Sequence, residues 1–385
     1  MSSAAHALAF AVASLAFAPI VSAEPPTYRV ESLGTALVGT AINESGDAVG
    51  RQLNSQQIGR AFVAKRGGAV ELLPLPSPWQ SSDAYAINNE GLVVGAVSTG
   101  TIASIGSRAA AWRPTKKGYA FELLTPYPGD QHSTATGVND LGDIVGGSGG
   151  LGLGLYPRAV AFTPEGGVLL PELSLPAAVN NERVVVAWNT LLDLDTMTST
   201  TVPLPPGNWQ GFVATDLSES GGFCGYVSGF SGCSTFPLRH LTGAGWEFVG
   251  GCATTTSATA INAQGDVLAY VYNGGNWVSF VGEENLAIGS LIDPSEGDWI
   301  VTGGADINDA RMILASARRG PAFTVTELVR LVPIVGPDLD GDGRVGGADL
   351  AILLAAWGTP TADLDGNDTV DGVDLAIMLA AWTAK

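Results

Sequence analysis

The sequence predicts an all-β architecture of repeated four-stranded units, followed by a small α-helical tail. Three observations predict it. A hairpin-like motif recurs along most of the chain at spacings near 45 residues. Glycine is abundant, at 51 of 385 residues, while charged residues make up only 14%. Near the C-terminus an aspartate-rich stretch is written twice.

The motif is clearest in "AINESGDAVG" (Ala41–Gly50), "AINNEGLVVG" (Ala86–Gly95), "GVNDLGDIVG" (Gly137–Gly146) and "AINAQGDVLA" (Ala260–Ala269). Looser copies are "AVNNERVVVA" (Ala178–Ala187), "DLSESGGFCG" (Asp216–Gly225) and "DINDARMILA" (Asp306–Ala315). The polar key residue is Asn43, Asn88, Asn139, Asn180, Ser218, Asn262 and Asn308, at gaps of 45, 51, 41, 38, 44 and 46. Such uneven gaps suit a unit with variable loops. Asn-x-x-Gly between apolar runs is a tight turn: Asn bonds its own backbone, and Gly adopts the left-handed conformation. The β-branched run that follows fits a buried strand. Each run ends in Gly or Ala, which suggests a crowded spot where neighbouring sheets approach.

Further strands complete the unit. "RAFVA", "RAAAW" and "RAVAF" begin at Arg60, Arg108 and Arg158. Then come "VELLPL" (Val70–Leu75), "YAFELL" (Tyr119–Leu124) and "GVLLPEL" (Gly167–Leu173). Four strands in 40 to 45 residues is one blade of a β-propeller. Seven copies set the expectation at a seven-bladed β-propeller over residues 28–331, with six or eight blades left open. The extra strand "YRVESL" (Tyr28–Leu33) is expected to close the ring beside a last strand "FTVTELV" (Phe323–Val329). The hairpin and the short aromatic strand after it resemble the HAF-type repeat of bacterial extracellular proteins, with Arg60, Arg108 and Arg158 where that repeat carries His. The resemblance implies architecture and says little about activity.

In the doubled tail, the first copy places oxygen side chains at loop positions 1, 3, 5 and 12: Asp338, Asp340, Asp342 and Asp349. Gly343 stands at the sharp sixth position, and Arg344 offers a carbonyl at position 7. The second copy places Asp363, Asp365, Asn367, Asp371 and Asp374, with Thr369 at position 7. Ca²⁺ wants six to eight oxygens around one point on a flexible loop, and this spacing supplies them. Two Ca²⁺ ions are therefore expected. Nine carboxylates in so short a segment would otherwise repel one another.

A short apolar helix follows each loop. Leu350, Leu353, Leu354 and Trp357 recur at helical spacing, as do Leu375, Met378, Leu379 and Trp382. The two helices are expected to bury these Leu and Trp faces against each other. Residues 336–385 resemble a type I dockerin, which implies docking onto a cohesin module on a cell-surface scaffold. The positions that read the partner in that family hold Gly347-Ala348 and Gly372-Val373, not the Ser-Thr pair of cellulosomal members.

Residues 1–23 are expected to be a secretory signal peptide: the apolar run Ala7–Val21 is followed by the small-x-small Val21-Ser22-Ala23. This would make the protein secreted or cell-surface. No other segment is long and apolar enough to span a bilayer. Three cysteines allow one disulfide, for which Cys233–Cys252 is the expected pair, with Cys224 buried and free. The net charge of −19 argues against nucleic acid and for divalent cations. Ser–His–Asp catalysis is poorly supplied by His132 and His240. The turn acids Glu44, Glu90, Asp140, Glu182 and Asp309 stand in slots where solvated acids are expected, and Trp79, Trp209 and Trp277 are candidate stacking platforms for sugar rings. The sequence thus points to a non-catalytic binding or display platform. The rival is a polysaccharide-degrading glycoside hydrolase, which needs only two carboxyl groups.

Overall fold

The computed structural model describes residues 25–100, 107–149, 158–229, 235–250, 256–271, 275–282, 285–320, 324–339, 344–367 and 369–383. Residues 1–23, where a signal peptide is expected, and Cys233, Cys252, Phe323, Asp340, Asp342 and Gly343 lie outside these residues. Cys224 is buried and free of a disulfide.

Seven four-stranded antiparallel sheets form seven blades. Six are built from consecutive strands. The first is Leu37–Ile42, Ala48–Leu53, Gly59–Ala64 and Val70–Leu72, innermost to outermost. The seventh is Trp299–Ile307, Ile313–Arg319 and Glu327–Pro333, with Tyr28–Thr35 as its outermost strand. The ring is thus clasped by its N-terminal strand, paired from Tyr28↔Pro333 to Thr35↔Glu327 with one bulge between Ser32 and Gly34. The strand it joins begins four residues later than expected. Leu328, Val329, Leu331 and Val332 are the residues with a core to enter, whereas Thr324–Thr326 are exposed.

The hydrophobic core is divided into layers between blades. One layer holds Val63, Leu73 and Ala84 with the fully buried Trp112, and another holds Tyr28, Leu268, Ile313 and Leu331.

The turn glycines behave as expected. Gly46, Gly91, Gly142, Gly221 and Gly265 have φ between +76° and +86°, and Arg183 and Arg311 adopt φ +60° in two of the looser copies. In the four copies whose run ends in Gly, that small residue has a different cause from the one expected. A Cβ at Gly50, Gly95, Gly146 or Gly225 would come within 2.0 Å of a carbonyl oxygen: that of Val38, Asp83, Thr134 or Val213. Each carbonyl belongs to the inner strand of the same blade, next to a bulge. The crowding lies within the blade and comes from the bulged backbone.

The tail contains two helices, α1 (Gly347–Ala355) and α2 (Gly372–Ala380). Helices this short need a tertiary partner. They share a small core of Val345, Leu353, Val370 and Met378, flanked by Leu350 and Leu375. Leu354, Trp357, Leu379 and Trp382 are exposed, contrary to the expected mutual burial. Nine residues present one narrow apolar face, and the next face of each helix remains in solvent.

Candidate metal centre and axial cavity

The second tail loop brings carboxylates together. One oxygen each from Asp363, Asp365 and Asp374 lies within 4.8 Å of the others. Asp363 and Asp374 are buried and Asp365 is exposed. Asp374 is fixed by the loop backbone: its Oδ1 accepts from the amides of Leu364 (2.6 Å) and Asp365 (3.2 Å), and its Oδ2 from that of Asp371 (2.7 Å). Burial pushes this carboxyl up, but the amides outweigh it and hold it below the usual range. Asp365 is raised, by desolvation first and then by its neighbours Asp374 and Asp363.

Two other expected ligands have different work here. Asp371 is the N-cap of α2, accepting from the Val373 amide at 2.7 Å. Asn367 donates from Nδ2 to Asp365 Oδ2 at 3.0 Å and accepts from the Thr369 amide. Arg344 and Thr369 are exposed.

In the first loop Asp338 is half-buried and Asp349 is buried. Asp349 repeats the geometry of Asp374, accepting from the Leu339 (2.7 Å) and Gly346 (2.6 Å) amides. The 25-residue register therefore carries into three dimensions. Three converging carboxylates with backbone-fixed oxygens are a hard-oxygen donor set of the kind Ca²⁺ takes.

The Asn of each repeat does more than shape its turn. Its Oδ1 accepts from the amide four residues on, as in Leu92 to Asn88 at 2.8 Å. Its Nδ2 donates to the key residue's carbonyl in the next blade. The bonds run Asn43 to Asn88 (3.1 Å), Asn88 to Asn139 (2.8 Å), Asn139 to Asn180 (2.9 Å) and Asn180 to Ser218 (3.3 Å). They resume from Asn262 to Asn308 (3.2 Å) and from Asn308 back to Asn43 (2.9 Å). Ser218 has no such amide, so the belt skips the step from the fifth blade to the sixth.

A second ring runs one residue further on. Asp140 Oδ1, Glu219 Oε2 and Asp309 Oδ1 accept the amides of Asn89, Asn181 and Ala263 at 2.6–2.8 Å, and Glu44 accepts that of Asp309 at 3.1 Å. Glu44, Asp140 and Asp309 are thus blade-to-blade acceptors around the mouth of an axial cavity, more than the solvated acids expected. Glu90 and Glu182 are exposed.

This cavity, of about 490 Å³, is lined by the turn residues and by Asp216 and Asp306. Neither aspartate is among the site residues expected from the sequence. Where other copies of the motif begin with Ala or Gly, these two begin with Asp, and that was the available signal. Asp216 Oδ2 accepts from Ile261 N at 2.9 Å, and Asp306 Oδ2 from Ile42 N at 2.8 Å, each bond crossing to the next blade. Burial first, and then acidic neighbours, push both carboxyls well up; Asp216 itself is the chief acidic neighbour of Asp306. Glu44 is pushed up to about 7, chiefly by desolvation.

The candidate sugar platforms are engaged in packing. Trp79 packs against a core layer, Trp209 meets Phe236 edge-on and Phe248 at a tilt, and Trp277 donates to Val249 O. The most exposed tryptophan of the described residues is Trp188, at 52%, held at φ +55° in a turn.

No protein-family model matches the chain, and no curated protein matches it. Among solved structures it is similar to virginiamycin B lyase from Staphylococcus aureus, at 14% identity and TM-score 0.47, over 80% of this chain and 100% of that one. It is also similar to a puromycin hydrolase, at 14% identity and TM-score 0.44, over 77% of this chain and 52% of that one. An ulvan lyase matches at 12% identity and TM-score 0.40, over 81% and 94%. Among the described residues no helix is long and apolar enough to cross a membrane.

Proposed function

We propose that this chain is a secreted, calcium-binding propeller that acts as a binding or display platform, tethered through its tail to a cohesin-like partner on a cell-surface scaffold. The observation that carries the reading is the convergence of Asp363, Asp365 and Asp374 within 4.8 Å in a loop whose register repeats. Three carboxylates so close are costly without a cation, and Ca²⁺ relieves the repulsion while ordering the loop. Calcium titration of the full chain by calorimetry tests it. The expected result is uptake of two ions, with loss of one in the double variant Asp363→Asn/Asp365→Asn. No heat at any calcium concentration up to the millimolar range overturns the reading. Capture by an immobilised cohesin, lost in chelator, separates a tether from a tail that only stabilises.

A second reading, a polysaccharide-degrading hydrolase, is favoured by one observation: two carboxyls with raised pKa, Asp216 and Asp306, share the axial cavity. Under it, a polysaccharide hydrolysis screen finds activity that Asp216→Asn and Asp306→Asn each abolish while calcium uptake is unchanged.

A further inference from the structure

We infer that cation loading of the second tail loop fastens the strand that closes the propeller ring. The inference rests on the tail being a calcium module and adds what that module does to the body. The clasp strand Tyr28–Thr35 is the outermost strand of the seventh blade, and among the described residues its outer edge is held only at its start, by a single bridge from Tyr28 to Ile292. Arg29, on this strand, donates from Nη1 to the carbonyl of Gly366, which stands between the expected ligands Asp365 and Asn367. Gly366 also donates its amide to Asp363 Oδ1 at 2.7 Å. One residue therefore links a converging carboxylate to the clasp.

The loop is shaped around that side chain. Gly366 has φ +75°, and a Cβ there would overlap the Arg29 guanidinium. Clasp and tail also enclose a cleft of about 370 Å³, into which Ile334, Pro360 and Ala362 bring apolar surface. On the other side of the clasp, Ile334 N donates to Thr27 O at 2.7 Å, and Arg330 bonds Glu31 at 2.7 Å. Without a cation, repulsion among Asp363, Asp365 and Asp374 loosens the loop and with it the Gly366 carbonyl. With the charge neutralised, the carbonyl is fixed where Arg29 meets it. Binding energy that favours this one arrangement then adds to the stability of the clasp.

The test uses the full chain, with calorimetry for calcium uptake and hydrogen exchange for the clasp. In the wild type, calcium is expected to slow exchange of the Tyr28–Thr35 amides by about tenfold or more relative to chelator. Arg29→Ala is expected to take up calcium as before and to show no slowing. Wild-type uptake without slowing, or slowing that survives in Arg29→Ala, overturns the coupling while leaving the calcium module standing. Absence of uptake in the wild type overturns both.

Discussion

Asp216 and Asp306 show how a single departure from a repeat acquires a role. Five copies of the motif place Ala or Gly two residues before the key position, and nothing polar enters the cavity there. In the other two a carboxylate enters and captures a neighbouring blade's amide. Burial raises both carboxyls, helped by Glu219 beside Asp216 and by Asp216 and Glu44 beside Asp306, so the native state holds their protons more tightly than the unfolded chain does. Stability from this source is complete below about pH 4 and is lost as pH rises through the elevated native values. Glu44, which faces Asp306 and Asp309 and is raised to about 7, acts in the same direction. Asp374 in the tail has the opposite sign, but its contribution is already complete above the ordinary carboxylate range. Between pH 5 and 8 in chelator, the melting temperature should therefore fall. In Asp306→Asn the fall should be smaller, because an amide keeps an acceptor oxygen and does not ionise. An equal fall in wild type and variant, followed by circular dichroism, would count against this assignment.

At the scale of the hairpin, the repeat is a device for joining blades as much as for turning the chain. Turn chemistry was legible in the sequence: Asn followed by Gly three residues on demands a left-handed residue, and Gly46 and Gly91 have one. The belt was not legible, because no single repeat reveals that its Asn reaches a carbonyl 38 to 51 residues away, or 265 away at the closure of the ring. The small residue at the end of each run was visible too, but the cause of the four glycines there was not. A one-residue bulge in the inner strand leaves no mark except the small residue opposite it. In the tail, helical spacing located α1 and α2 but not their exposed Trp faces, since burial depends on how two short helices cross. The belt makes a prediction of its own. Asn88→Ala leaves the Leu92 amide and the Asn139 carbonyl without their side-chain partner and should cost about 2–4 kcal/mol. Ser218→Asn supplies the missing donor and should gain about 0.5–1.5 kcal/mol. Urea midpoints at constant m-value measure both.

The whole molecule depends on closure. Seven blades packed face to face leave one seam, and here three strands from the end of the chain meet one from its beginning. The seam carries several kinds of bond. Asn308 and Asp306 bridge to Asn43 and Ile42 at the axis, and Arg330 reaches both Glu31 and the carbonyl of Ala64. Tyr28 is fully buried in the layer between the sixth and seventh blades. The sequence showed that Tyr28–Leu33 was a strand too many for the first blade, and ring closure was the one place where it could pair. It did not show how much of the fold hangs on this strand, because the contacts join residues some 300 positions apart. Removing the Tyr28 ring creates a cavity in that layer and should cost about 3–5 kcal/mol in Tyr28→Ala. Contacts this distant in sequence form late, so the loss should fall mainly on the unfolding rate, with folding little changed. Stopped-flow chevrons decide it. A slowed folding limb with an unchanged unfolding limb would mean that the clasp forms early and that the ring is organised around it.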